Sequence, residues 1–160
     1  MAFIGHEHQP VAIVENFSPH PERLIDEASR LRFEVMGEFY PGVRANATPA
    51  YFEGQGPLLA RVLSEFFDQK GRFESQALYS LATTPSDQLT LAQRIPHIDG
   101  LKPGMIAILH YLSREPFGGT AFYRHRSTGF ETIDARRHPL YLERLHAGFA
   151  AHGEPPPRVY

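Results

Sequence analysis

The sequence predicts an α+β fold, mainly β, in which N-terminal helices pack outside a sheet sandwich, and three observations carry that prediction. Apolar residues recur at helical spacing through the first part of the chain. From Phe73 onward the apolar runs become short and are separated by Pro and Gly turns. The order is therefore one strand, two helices, then a run of strands, which is the α+β plan. A length of 160 residues fits one domain spanning 1–160.

Val11–Val14 is a short apolar run that leads through Asn16-Phe17-Ser18-Pro19 into a helix. Its apolar positions are Leu24, Ile25, Ala28, Leu31 and Val35, with Pro19 and Pro21 at the start and Gly37 at the end. The stretch from Tyr40-Pro41-Gly42-Val43-Arg44 to Gly54-Gln55-Gly56-Pro57 reads as a loop. A second helix follows on Leu58, Leu59, Val62, Leu63, Phe66 and Phe67, with Gly71 closing it. Antiparallel strands are expected at 76–82, 88–94, 105–112 and 120–125. A last helix is expected over 139–151, on Leu140, Leu142, Leu145 and Phe149, before Gly153-Glu154-Pro155-Pro156-Pro157 ends it.

A net charge of −2 provides no basic field for a nucleic-acid backbone or an anionic membrane. No apolar run has the length of a membrane span and the start has no secretory pattern, so a cytoplasmic location is expected. With no cysteine, any metal would be held by nitrogen and oxygen. Nine histidines and eighteen acidic residues supply such donors.

His97-Ile98-Asp99 is the tripeptide with the clearest chemistry. In an extended segment residues i and i+2 share a face, so an imidazole and a carboxylate point the same way. These are two of the three ligands of the 2-His-1-carboxylate arrangement, which leaves the opposite face of Fe(II) open. The same tripeptide also reads as an ordinary strand-end His and Asp.

Around it the chain runs Ile95-Pro96-His97-Ile98-Asp99-Gly100, a turn at Lys102-Pro103-Gly104, a strand ending in Tyr111-Leu112, and Gly118-Gly119-Thr120-Ala121-Phe122. This order resembles the iron(II)- and 2-oxoglutarate-dependent oxygenases, in their prolyl-hydroxylase-like branch. The opening Ile13-Val14-Glu15-Asn16-Phe17-Ser18 is similar to the strand-to-helix entry of that superfamily. Tyr40–Arg44 and Gly118–Arg126 are similar to an uncharacterised bacterial group within it, and the resemblance spans nearly the whole chain.

The resemblance implies a double-stranded β-helix, or jelly roll, with Fe(II) at its mouth held by His97 and Asp99, and with 2-oxoglutarate and O2 as co-substrates. Hydroxylation of a small molecule or a peptide side chain is the implied reaction. Asp99 disfavours halogenation, because halogenating members lack the carboxylate ligand. Tyr111 is implied as a hydrogen-bond partner of the co-substrate. The family takes its third ligand, a distal His, from a later strand and anchors 2-oxoglutarate with an Arg or Lys beyond it. No strand-like segment with a His follows Thr132, so the third ligand and the last strands are expected beyond Tyr160.

Two histidines inside the chain are substitutes. His125, flanked by Arg124 and Arg126 that suit a carboxylate, reads as a ligand or as a substrate-contacting residue. His110, on one face with Ile106 and Ile108, reads as a ligand or as a core-lining imidazole. His6-Glu7-His8 is expected to be a solvated end and Arg136-Arg137-His138 a solvated loop, with Asp134 as the acidic residue near the last helix start. The aromatic stretch Tyr40–Arg44 with Tyr51-Phe52 reads as a pocket border or as a sheet cover. The competing readings are a non-catalytic jelly-roll binding module and a cupin-like metalloprotein. Unpaired sheet edges in a shortened jelly roll would favour a homodimer.

Overall fold

The computed structural model describes residues 2–71, 74–113, 115 and 118–156. It is a mixed α/β chain whose described residues form three α-helices and two small antiparallel sheets. The contacts divide it into two compact units: Met1–Ile4, His8–Thr83 and His110–Glu115 in the first, and Gly5–Glu7, Thr84–Leu109 and Pro116–Tyr160 in the second.

In the first unit, β1 (Ala2–Ile4) pairs with β2 (Gln9–Val11) in the register Ala2↔Val11 and Ile4↔Gln9. The N-terminus is thus held in a hairpin, where the sequence suggested a solvated end. The chain reverses between the two strands through the left-handed residues Gly5 (φ 68) and His8 (φ 50).

Helix α1 (Pro21–Ser29) starts on a proline and carries Glu22 in its first turn, where a negative charge opposes the helix dipole. Leu24 is its buried anchor. The sequence spacing extends this helix to Val35, but the chain leaves the helix at Arg30 because Glu34 is taken by the sheet. Glu34 and Arg44 exchange backbone hydrogen bonds of 3.0 and 2.8 Å, and Val35 is left 75% exposed.

β3 (Gly42–Asn46) pairs with β4 (Leu78–Ala82) in the register Gly42↔Ala82, Arg44↔Ser80 and Asn46↔Leu78. Any side chain at Gly42 would collide with the carbonyl of Leu81, so the strands close only with glycine there. Arg44 turns its N–H and C=O to Glu34, away from β4. The ladder bonds to β4 therefore run through Val43 and Ala45, and the N–H and C=O of Leu78, Ser80 and Ala82 point to the outer edge.

Helix α2 (Pro49–Phe67) begins well before the apolar stripe and absorbs Gly54-Gln55-Gly56-Pro57, which the sequence suggests as a loop. Tertiary anchors override the weak local propensity. Gln55 is buried and donates to Ser18 Oγ at 3.3 Å, while Tyr51 stands edge-on to Tyr79 with ring centroids 6.4 Å apart. The helix ends at Asp68, left-handed at φ 49, and not at Gly71. Val62, Leu63, Ala45, Tyr79 and Leu24 form the buried apolar set of this unit. Fully burying a side chain of this kind contributes about 1.5–3 kcal/mol.

The second unit holds α3 (His138–His152), within a residue of the expected span at each end. Asp134 accepts the backbone N–H groups of Arg136 and Arg137 at 2.9 and 2.8 Å just ahead of it, the capping role its position suggested. The expected strand at 88–94 is instead two 3-10 turns, Ser86–Gln88 and Leu91–Arg94. The reason is local: Gln93 reaches back to accept the N–H of Thr90 at 3.0 Å, half of a capping box that nucleates a turn. The described residues of the expected strands at 105–112 and 120–125 belong to no ladder. Their apolar side chains stay open, with Leu109 62% and Phe122 68% exposed. Among the described residues no helix is long and apolar enough to cross a membrane.

Candidate metal-binding pair and its surroundings

Pro96 disfavours helix at the residue before it, and Ile95 is indeed extended at φ −115, ψ 150. The chain thus leaves the Leu91–Arg94 turn extended at Ile95, and His97 and Asp99 approach each other at the bend that follows. His97 Nε2 lies 3.5 Å from Asp99 Oδ1, and the side chains are 76% and 57% exposed. An imidazole nitrogen and a carboxylate oxygen that are this close, and open to solvent, can both reach one ion. Behind them the chain turns at Lys102, which accepts the N–H of Met105 at 3.3 Å, with Gly104 left-handed at φ 77. A Cβ at Gly100 would stand 2.8 Å from Met105 Cε, so glycine lets the thioether fold against the backbone beside the pair.

No third donor joins the pair: among the described residues no group of three His, Cys, Asp or Glu is arranged to hold a metal ion. His125 is engaged elsewhere. Its Nδ1 lies 2.8 Å from Thr128 Oγ1 and its Nε2 3.5 Å from Ser127 Oγ, while Tyr141 stands edge-on at 4.9 Å. A tight turn holds it there, with the N–H of His125 bonded to Phe130 O and that of Gly129 to His125 O. Burial depresses its pKa.

Arg124, expected to meet a 2-oxo acid, instead gives its Nε to Glu131 Oε1 at 2.7 Å. Tyr111 is 62% exposed. In the first unit, His110 Nδ1 lies 3.4 Å from Tyr51 Oη and Phe17 stands edge-on to the ring at 5.0 Å. Burial depresses the His110 pKa as well. This is the core-lining arrangement that was the alternative for His110. In the same unit Arg44 lies over the Tyr40 ring at 3.8 Å.

The most completely bonded charge cluster is one that the sequence reading placed in solvent. Glu7 accepts Arg137 Nη1 at 2.7 and 2.8 Å and the backbone N–H groups of Glu131 and Thr132 at 3.3 and 3.2 Å. Glu131 in return accepts the N–H of Glu7 at 2.9 Å. A side chain on Gly5 would collide with the Glu131 carboxylate, so the backbone passes directly against it. Arg137 also donates to Thr132 O at 3.0 Å and lies over the Phe130 ring at 4.8 Å. The Arg137 guanidinium holds the Glu7 carboxyl below its ordinary range, and the Glu7 N–H followed by Arg124 does the same for Glu131. Nothing local signals this cluster, because its two halves are more than a hundred residues apart.

The structure defines a mixed α/β protein with an exposed His–Asp pair and, separately, an internally satisfied ion-pair cluster. The chain belongs to the family of unknown function DUF6445, which matches residues 1–160. No curated protein and no solved structure matches it.

Proposed function

We propose that the chain is a non-haem iron(II)- and 2-oxoglutarate-dependent oxygenase of the jelly-roll superfamily, hydroxylating a small molecule or a peptide side chain in the cytoplasm. The observation that supports this reading best is the convergence of His97 and Asp99, 3.5 Å apart and open to solvent. The pair fits a hard divalent ion held by one imidazole and one carboxylate. It supplies two of the three protein donors of a facial site. Iron, when bound, would supply the activation of oxygen, with 2-oxoglutarate as the source of electrons. His97 and Asp99 would orient it, and the Pro96-extended backbone would keep the two donors on one side.

The residues outside the described set, Met1, Arg72, Phe73, Arg114, Pro116, Phe117 and 157–160, include no His, Asp, Glu or Cys. Within the chain, His125 after release from Thr128, or His110 after release from Tyr51, would have to serve as the third donor. Arg124 would likewise have to exchange Glu131 for a co-substrate carboxylate.

Anaerobic Fe(II) addition with 2-oxoglutarate tests the proposal through the charge-transfer absorption of an iron-bound 2-oxo acid. The expected result is an absorption lost in both His97→Ala and Asp99→Ala. Absorption in this chain that His125→Ala also abolishes makes His125 the third donor. Absorption, or iron-dependent succinate formation, that survives His97→Ala refutes the reading.

A second reading, a binding module without catalysis, is favoured by a specific observation. The Arg and His expected to complete the site, Arg124 and His125, are both committed to neighbours, at 2.7 and 2.8 Å. Metal binding without 2-oxo acid chelation is the outcome that selects it.

A further inference from the structure

Asp99-Gly100 is the one place in the chain where an aspartate or asparagine precedes glycine. Every other aspartate and asparagine is followed by a residue that carries a Cβ. The difference is chemical as well as steric. A glycine nitrogen can swing toward the carboxyl carbon of the residue before it, with no side chain in the way and the widest range of backbone angles.

The structure leaves this dipeptide open to that approach. Residues 96–100 are exposed and belong to no helix or strand. Asp99 stands at a bend with its side chain 57% exposed. Among the described residues the Gly100 N–H enters no backbone hydrogen bond, so no ladder has to open before it can turn. The other aspartates are held differently. Asp26 lies within α1 and Asp87 within a 3-10 turn, while Asp134 is bonded to the N–H groups of Arg136 and Arg137. Asp68 is more open still, at 87%, but the next N–H, that of Gln69, is bonded to Leu63 O at 3.0 Å.

We infer that Asp99 is a site of isoaspartate formation. The Gly100 nitrogen bonds to Asp99 Cγ and one Cγ–O bond breaks. That oxygen leaves as water, taking the Gly100 proton and one proton from solvent. The product is a succinimide ring of Asp99 Cα, Cβ, Cγ and C with Gly100 N. Water then opens the ring at either carbonyl. Opening at Cγ restores Asp99. Opening at the main-chain carbon gives isoaspartate, in which the backbone runs through Cβ and Cγ and the free carboxylate sits on Cα. Water is lost and regained, and no oxidant enters. The carboxylate is thereby moved from its place beside His97. That this would disable a metal ligand rests on the proposed function; the modification itself does not.

Long incubation of the whole, metal-free chain at neutral pH tests it, with peptide mass spectrometry by electron-transfer fragmentation and with methylation by an isoaspartyl methyltransferase. Isoaspartate is expected at Asp99 ahead of every other aspartate and asparagine, preceded by a species lighter by one water. Gly100→Ala is expected to keep the wild-type circular dichroism spectrum, because Gly100 is not left-handed and the added Cβ meets only the flexible end of Met105. Its isoaspartate at Asp99 is expected to fall several-fold. Absence of isoaspartate at Asp99 in the wild type overturns the inference, as does equal accumulation in Gly100→Ala. If that variant does not fold, the ranking of Asp99 against Asp68 in the wild type decides alone. Because no metal is present, failure here leaves the oxygenase reading to be judged by iron binding.

Discussion

Two charged clusters in the second unit use the same chemistry to opposite ends. Around Glu7, Glu131, Arg124 and Arg137 each carboxylate accepts two or more donors, backbone amides among them. At His97 and Asp99 the single contact within the pair is 3.5 Å long and both side chains stand open to water. A charge whose bonds are all met inside the chain holds the fold together. A pair that converges without being satisfied has capacity left for a ligand. Arg124 teaches the same lesson: beside a histidine it resembles a carboxylate-binding residue, yet its guanidinium is already spoken for by Glu131.

The largest expected effect is at the unsatisfied pair. His97→Ala is predicted to weaken Fe(II) binding by more than roughly 100-fold, since loss even of a residue that only supports a ligand costs 10–100-fold. Thermal stability should move by less than about 0.5 kcal/mol, as for other exposed positions. Calorimetric titration and thermal unfolding on one sample separate the two. A large loss of stability would place His97 in the fold and not in a site.

Arg137→Ala should do the reverse. It leaves Glu7 facing backbone donors without its cation, and is predicted to cost about 1–3 kcal/mol. For a chain of this size that lowers the melting temperature by roughly 2–12 °C, with metal binding unchanged. An unshifted melting temperature would mean that Glu7 and Arg137 are as exposed in function as their terminal and loop positions suggest in sequence.

Acid should discriminate between the clusters in the same sense. Glu7, Glu131 and Asp134 all have carboxyl pKa values held below the ordinary range, by Arg137, by the Glu7 N–H and by the Arg137 N–H respectively. Groups depressed in the folded state stabilise it fully above their unfolded pKa, and that stability is lost as pH falls through the folded value. Denaturant midpoints should therefore fall below about pH 4.5 on account of these carboxylates, after a separate decline below about pH 6.5 that the depressed His110 and His125 bring. Glu7→Gln is predicted to flatten that fall, and an unchanged acid limb would contradict the account.

The smallest effect is expected at Asp134→Ala, which removes the acceptor of two backbone amides ahead of α3 and is predicted to lower the melting temperature slightly. Asp134→Asn should recover most of it. Equal losses in the two variants would point to charge and not to capping.

Reading outward from these residues shows which parts of the molecule local sequence encodes. The second half of α2 follows from apolar spacing because it buries Val62 and Leu63, and α3 follows from the same spacing although it leaves Leu142, Leu145 and Phe149 only half-buried. The first half of α2 does not, because Gly54, Gly56 and Pro57 argue against helix and only the contacts of Gln55 and Tyr51 with distant residues overrule them. The end of α1 is hidden for a similar reason, since Glu34 is claimed by Arg44 across the sheet. At 88–94 the pairing of Thr90 with Gln93 is a helical signal inside a short apolar run that reads as a strand. The stretches 105–112 and 120–125 have strand composition, but a strand forms only where an edge receives it. In the candidate site, the approach of His97 to Asp99 was legible because it depends on two residues and one proline. The commitment of Arg124 and the clasp on Glu7 were not, because they depend on where the chain returns after more than a hundred residues.

The central claim is that His97 and Asp99 are the ligand-accepting pair, and paramagnetic broadening of histidine resonances tests it most directly. Substoichiometric Mn(II), which accepts the same nitrogen and oxygen donors as Fe(II), would be added to ¹⁵N-histidine-labelled protein. The account predicts that the His97 ring signals broaden first while those of His110, packed against Phe17 and Tyr51, stay sharp. Uniform persistence of the His97 signals, or broadening that begins at another histidine, would contradict it.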